Sequence, residues 1–259
     1  MSGAASPGPW RIRSYARLAS TSDLCLQLAA AGEPDGLAVR ADAQSAGRGR
    51  SGRSWHSASG NLFLSVLLRP AGEAADAAPY ALLAGVALWE ALAGFLSDPA
   101  PLSLKWPNDL LLGGKKLAGI LLESASRPAG GPAGGIAWLV IGIGANLAQA
   151  PPIAASSMAG RASACLADAG IAPPAAEDAA SAVLARLTHW RVVLDTEGFA
   201  PVRAAWLAHA HPLGAALVFN GPGGARSGRF AGLTEAGALR LATERGIETF
   251  AAGEVLELA

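Results

Sequence analysis

The spacing of apolar residues changes several times along the chain, and each change marks an element. "NLFLSVLLRP" (61–70), bounded by Gly60 and Pro70, and "IAWLVIGIGANLAQ" (136–149) are nearly continuous apolar runs of strand length, which predicts buried strands. "YALLAGVALWEALAGF" (80–95) is longer and largely apolar, which predicts a helix packed on a sheet. "WRIRSYARLASTSDLCLQLAAAG" (10–32) predicts a strand and then a helix that begins near Ser20 to Ser22, where hydroxyls supply N-cap oxygens, and ends by Gly32. "GLAVRADAQ" (36–44) is a short strand, and "LSLKWPNDLLLGGKKLAGILLES" reads as three strands broken at Pro107–Asn108 and at Gly113–Gly114. "RPAGGPAGG" (127–135) is a low-complexity loop, and helices are expected over 158–169, 177–190 and 199–209.

After His211 and Pro212 the pattern turns to short strands separated by glycines. The expected organisation is a catalytic-sized domain over 1–211 and a small β module over 212–259, too small to be stable without leaning on the larger part. The fold class is α+β: a mixed β-sheet with packed helices, followed by a little β-barrel.

Composition narrows the functions. The formal net charge is zero, which argues against a polycation that tracks DNA or a membrane surface. No apolar run reaches membrane-spanning length, and the N-terminus does not read as a signal peptide, so a cytoplasmic protein is expected. Cys25 and Cys165 are far apart and form no metal or redox motif. No metal ligands are assigned. Lysine occurs only at positions 105, 115 and 116, in a chain that otherwise uses arginine for positive charge. A compact ammonium differs from a guanidinium fork, so this confinement asks for a chemical reason, with chance as the alternative.

Two stretches carry candidate chemistry. "DAQSAGRGRSGRSW" (42–55) interleaves Gly47, Gly49 and Gly52 with Arg48, Arg50 and Arg53 and closes on Trp55. It matches neither a Walker loop nor a dinucleotide fingerprint. Glycines that let backbone approach a ligand, with arginine forks beside them, suit an anion on a small molecule, and Trp55 offers a face for a base. A solvated arginine turn with Trp55 as a core anchor is the structural alternative. In "KWPNDLLLGGKKLAGILLES" (105–124), Lys116 is expected inward on a strand, where an unpaired ammonium is costly unless a ligand brings an anion. Blocking of a sheet edge is the alternative for Lys116, and Lys115 reads as a surface residue. Asn146, after an apolar strand, could present an amide to an adenine or ribose.

"STSD", "QSAGRGRSGRSW", "KWPNDLLLGGKKLAGILLE" and "IGIGANL" resemble, in order and spacing, the biotin protein ligases, across essentially the whole chain. The resemblance implies a class II synthetase-like biotin/lipoate ligase fold with a small SH3-like β-barrel at the C-terminus. It implies ATP-dependent activation of biotin to biotinyl-5′-AMP, then transfer to one lysine of a biotin carboxyl carrier protein of acetyl-CoA carboxylase. Carried over by motif, Lys116 and Arg50 are the catalytic candidates. Ser20, Thr21, Ser22, Gln44, Gly47, Arg48, Gly49, Arg50, Lys116 and Gly119 are the biotin-binding ones. Arg53, Trp55, Asn108 and Asn146 fall at the ATP and adenylate end, with Mg2+ accompanying ATP. Ser22 stands where the family usually has asparagine, and Ala145 where it often has isoleucine. Too few residues precede Leu18 for an N-terminal DNA-binding domain, so the short, ligase-only form is expected, with no DNA and no membrane partner, and a homodimer is allowed. The enzyme alternative is a lipoate or octanoate ligase on the same scaffold. A single-stranded nucleic-acid-binding module is the alternative from another class, opposed by neutral charge and by the lack of a second aromatic–basic platform.

Overall fold

The computed structural model describes residues 8–70, 77–127, 135–151, 162–221 and 223–257. Seven strands form one mixed sheet: β1 (Arg11–Tyr15), β2 (Leu37–Ala41), β3 (Leu62–Leu68), β4 (Leu102–Lys105), β5 (Asp109–Leu112), β6 (Lys115–Ser126) and β7 (Ile136–Ala145). Their order is β1-β2-β3-β7-β6-β5-β4; only β1 and β2 pair in parallel. Every residue of β3 is buried, as its unbroken apolar run requires, because both faces of the sheet centre are covered.

The two faces have different owners. Leu62, Leu64, Val66 and Leu68 of β3, with Leu139, Ile141 and Ile143 of β7, pack on α2 (Ala78–Ala93), α3 (Ala176–Glu197) and α4 (Phe199–Ala208) in the main core. On the other face Leu67 and Val140 join Leu37, Val39, Cys25 and Ala29 beneath α1 (Thr21–Ala30). This helix has only ten residues and cannot cover the whole face. What it leaves uncovered is where the site lies. Ser20 is its N-cap, its side chain accepting from Asp23 N at 3.3 Å.

The segment expected as a helix over 158–169 is corrected in its described part. Ser163 makes an isolated bridge with Lys116, and only Leu166–Ala169 turn, as a short 3-10 helix; 152–161 lie outside the described residues. Ala162 and Ala164 spend their backbone groups on Lys116, which holds that stretch extended against β6. The loop expected over 127–135 falls largely outside the described residues.

The second sheet comprises β8 (Ala216–Gly221), β9 (Gly224–Leu233), β10 (Leu239–Thr243), β11 (Gly246–Phe250) and β12 (Glu254–Glu257), in the order β11-β10-β9-β8-β12. The expected closed barrel is corrected: among the described residues β11 and β12 are unpaired edges, so the sheet is open. Side chains occupy the gap instead. Phe219 of β8 stacks on Phe250 at the end of β11, centroids 3.9 Å apart, and its ring lies against Gly253 just before β12. Leu217, Phe219, Phe230, Leu239 and Val255 of this sheet belong to the main core, so the small module leans on the larger one.

Candidate active site

Strand alternation builds the floor. In "VIGIGA" the isoleucines enter the core, so Gly142 and Gly144 face the side α1 leaves open. A Cβ on Gly144 would come within 2.5 Å of the Trp55 ring, which therefore needs bare backbone beneath it. Gly119 of β6 lies under the same ring, 3.1 Å from it by the same measure.

A bulge aims Lys116. Leu110 pairs with Ala118 but Leu111 pairs with Lys116, so Leu117 is the extra residue on β6. Leu117 and Ala118 both enter the core, and Lys116 moves to the pocket face that a regular strand would have denied it. Alternation puts Asp109 of β5 and Lys105 of β4 on that face too, since Leu110 and Leu104 are core residues. Lys116 Nζ lies 2.6 Å from Asp109 Oδ1 and Lys105 Nζ lies 2.9 Å from Asp109 Oδ2. The expectation of an ammonium that lacks a protein partner is thereby corrected: Asp109, buried at 6% side-chain exposure, supplies it. Lys115 is exposed, as expected, although it is the first residue of β6 and not part of the turn at Gly113–Gly114.

The arginine stretch crosses the pocket mouth. Arg48 pairs with Asp23 at 2.7 Å and Glu123 at 2.6 Å; Arg53 reaches Glu254 at 3.3 Å. Arg50 donates to Asn108 Oδ1 at 2.9 Å and to the Gly253 carbonyl at 3.2 Å. Burial lowers the Arg50 pKa from its ordinary value, and the carboxylates of Asp109 and Glu254 oppose that shift. The three guanidinium groups are thus partnered within the protein.

At the start of α1 the polar groups are hydroxyls. Gln44 Oε1 accepts from Thr21 N at 2.8 Å and from Thr21 Oγ1 at 3.2 Å; its Nε2 donates to Ser57 Oγ at 3.2 Å. Ser65, wholly buried on β3, lies 2.8 Å from Thr21 Oγ1 and 3.1 Å from Ser22 Oγ. Hydroxyls donate and accept, so this cluster can meet a ligand that presents both.

One cavity of about 540 Å³ lies among these groups. Ser20, Thr21, Ser22, Gln44, Arg48, Gly49, Arg50, Arg53, Trp55, Asn108, Lys116, Gly119 and Asn146 all border it. Gly47 does not; it stands behind, where a Cβ would meet the Trp55 carbonyl oxygen at 2.8 Å. Asn108 is engaged on both sides, accepting from Arg50 and donating to the Ile120 carbonyl at 2.6 Å. Asn146 donates to the Ala164 carbonyl at 3.0 Å, and its Oδ1 is buried without a hydrogen-bond partner among the described residues, as is Trp55 Nε1.

Sequence reasoning missed several participants. Asp109, which the hairpin pattern gathers with Asn108 and Lys116 at one end, was given no role, and its pairing with both lysines is what the structure adds. Ser65 sits in an apolar strand with nothing to distinguish it, and Glu254 lies in a module to which no role was assigned. Both cysteines are buried and free, and burial pushes the Cys25 thiol up to about 12, so neither offers a ready thiolate.

Comparison with known proteins gives the family. Residues 15–146 match the biotin/lipoate A/B protein ligase family and residues 219–256 the biotin protein ligase C terminal domain. The chain is 38% identical to the biotin–[acetyl-CoA-carboxylase] ligase of Paracoccus denitrificans over 93% of its own length and 98% of that protein's. It is 31% identical to the bifunctional ligase/repressor BirA of Bacillus subtilis, over 92% of this chain and 71% of that one. Among solved structures, the biotin protein ligase of Aquifex aeolicus in complex with biotin and ATP superposes with a TM-score of 0.77 at 28% identity, covering 95% of this chain and 97% of that one. With the family match extending over half of the chain and a relative aligned almost end to end, this chain belongs to the biotin protein ligases of the biotin/lipoate A/B protein ligase family.

Proposed function

We propose that the chain activates biotin with ATP and passes it to a carrier protein, as an ATP-dependent ligase that forms an amide bond. The observation that carries this reading is a single cavity that combines a hydroxyl and amide cluster (Ser20, Thr21, Ser22, Gln44) with two cations, Lys116 and Arg50. A ureido ring presents one carbonyl acceptor and two N–H donors, which matches groups that donate and accept. A carboxylate and a phosphate are anions, which matches the cations.

In the first step a biotin carboxylate oxygen attacks the α-phosphorus of ATP, the bond to the β-phosphate oxygen breaks, and pyrophosphate leaves. Lys116 would stabilise charge on the phosphorus oxygens as it develops, and Arg50 would help to hold the adenylate. In the second step the amine of one carrier lysine attacks the acyl carbon, AMP leaves, and the nitrogen loses a proton. No side chain needs to become a covalent nucleophile. Asn146 Oδ1, an acceptor without a partner among the described residues, fits an amino group such as that of adenine. Magnesium would enter as the counter-ion of the triphosphate, because the carboxylates that line the cavity are already engaged, Asp109 by two lysines and Glu254 by Arg53. We assign the carrier role to the biotin carboxyl carrier protein of acetyl-CoA carboxylase and the reaction to the cytoplasm, with residues 1–211 as the catalytic domain and 212–259 as its accessory module.

The test is pyrophosphate release by purified protein with ATP and magnesium, with biotin or lipoate added. Release with biotin and little with lipoate is expected, because a dithiolane leaves the hydroxyl cluster unpaired. Equal release with lipoate, or none with biotin, would overturn the reading.

A further inference from the structure

Lys105, Asp109 and Lys116 form a triad in which a single carboxylate holds two ammonium groups, one inside the protein and one at the cavity. Lys105 is sealed at 1% side-chain exposure, and Lys116 is 31% exposed. Each carboxylate oxygen takes one lysine. Lysine has three N–H donors, so Lys116 keeps two for a ligand after binding Asp109. A lone Lys116–Asp109 pair would be neutral and would attract an oxyanion weakly. With Lys105 behind it, the triad keeps a net positive charge while Lys116 stays fixed in direction. The Trp55 ring, 5.6 Å from Lys116 Nζ, bounds the other side of that ammonium.

We propose that Asp109 is a positioning residue for biotin activation, aiming Lys116 into the cavity while Lys105 occupies its second oxygen. This rests on the activation reading above. The alternative is that Asp109 serves only to neutralise Lys105, whose burial would otherwise destabilise the fold. The two roles separate in a charge-balanced double substitution. Asp109→Asn alone leaves the Lys105 ammonium buried without a charge partner and should lower the melting temperature, or prevent folding. Asp109→Asn combined with Lys105→Met removes both buried charges and should restore stability.

The experiment measures melting temperature, and kcat and KM for biotin-dependent pyrophosphate release, in wild type, Asp109→Asn and the double variant. Release by wild type establishes the activity itself, and its absence would count against the activation reading instead of against Asp109. The double variant is expected to melt near wild type but to lose on the order of a hundredfold in kcat, the scale of a misplaced catalytic group. KM for biotin and for ATP should change much less. A double variant that regains wild-type kcat together with its stability, or a folded Asp109→Asn protein with unchanged kcat, would overturn the positioning role.

Discussion

Lys116 takes its position from three local features: a bulge at Leu117, a carboxylate at Asp109 and bare backbone at Gly119. Removing its ammonium leaves Asp109 still paired with Lys105, so Lys116→Ala should fold normally. Its biotin-dependent pyrophosphate release should fall about a hundredfold or more, the scale for losing one donor aimed at transition-state charge. Lys115→Ala, at the exposed start of β6, should be nearly silent, and comparable losses in the two variants would contradict this assignment. That Lys116 faced inward was legible from the apolar run "LAGILL" that follows it. The means was not. A bulge depends on how two strands register, and one extra residue in "KKLAG" looks like any other. The hairpin pattern brings Asp109 and Lys116 to neighbouring strands, but that the two pair, with Lys105 on the second oxygen, does not follow from the pattern.

The arginine stretch is the element where local reasoning went furthest and then stopped. Its arginines border the cavity, and its glycines and its closing tryptophan were legible. The balance of its charges was not, since Asp23, Glu123 and Glu254 come from α1, β6 and β12. The ties are uneven. Arg48 has two carboxylates, whereas Arg53 has one and is 54% exposed, and exposed pairs contribute only about 0–1 kcal/mol. Trypsin should therefore cut the free protein first after Arg53 and last after Arg48. Biotin with ATP and magnesium should slow cutting throughout 48–53, as anionic ligand adds contacts that the carboxylates do not supply. Identical cleavage with and without ligands would show that the stretch does not close on a ligand.

At the scale of the molecule, the two sheets share one core, and the smaller one reaches the site. The Gly253 carbonyl holds Arg50 and Glu254 holds Arg53, so the C-terminal module helps to fix the arginine stretch over the cavity. The α+β class and the strand-rich C-terminal segment could be read from apolar spacing, and the small size of that segment pointed to the core it shares with the larger part. Openness of the second sheet could not, because the edges of β11 and β12 meet the stacked rings of Phe219 and Phe250, a contact that leaves no periodic trace. The central proposal is that this surface makes biotinyl adenylate and delivers it to a protein lysine. The most direct measurement is transfer of labelled biotin to a purified carrier domain with ATP and magnesium, followed by mapping of the modified residue. The account expects ATP-dependent label on a single lysine, abolished when that lysine is replaced by arginine. Failure to label a carrier that a known biotin ligase modifies under the same conditions would contradict it.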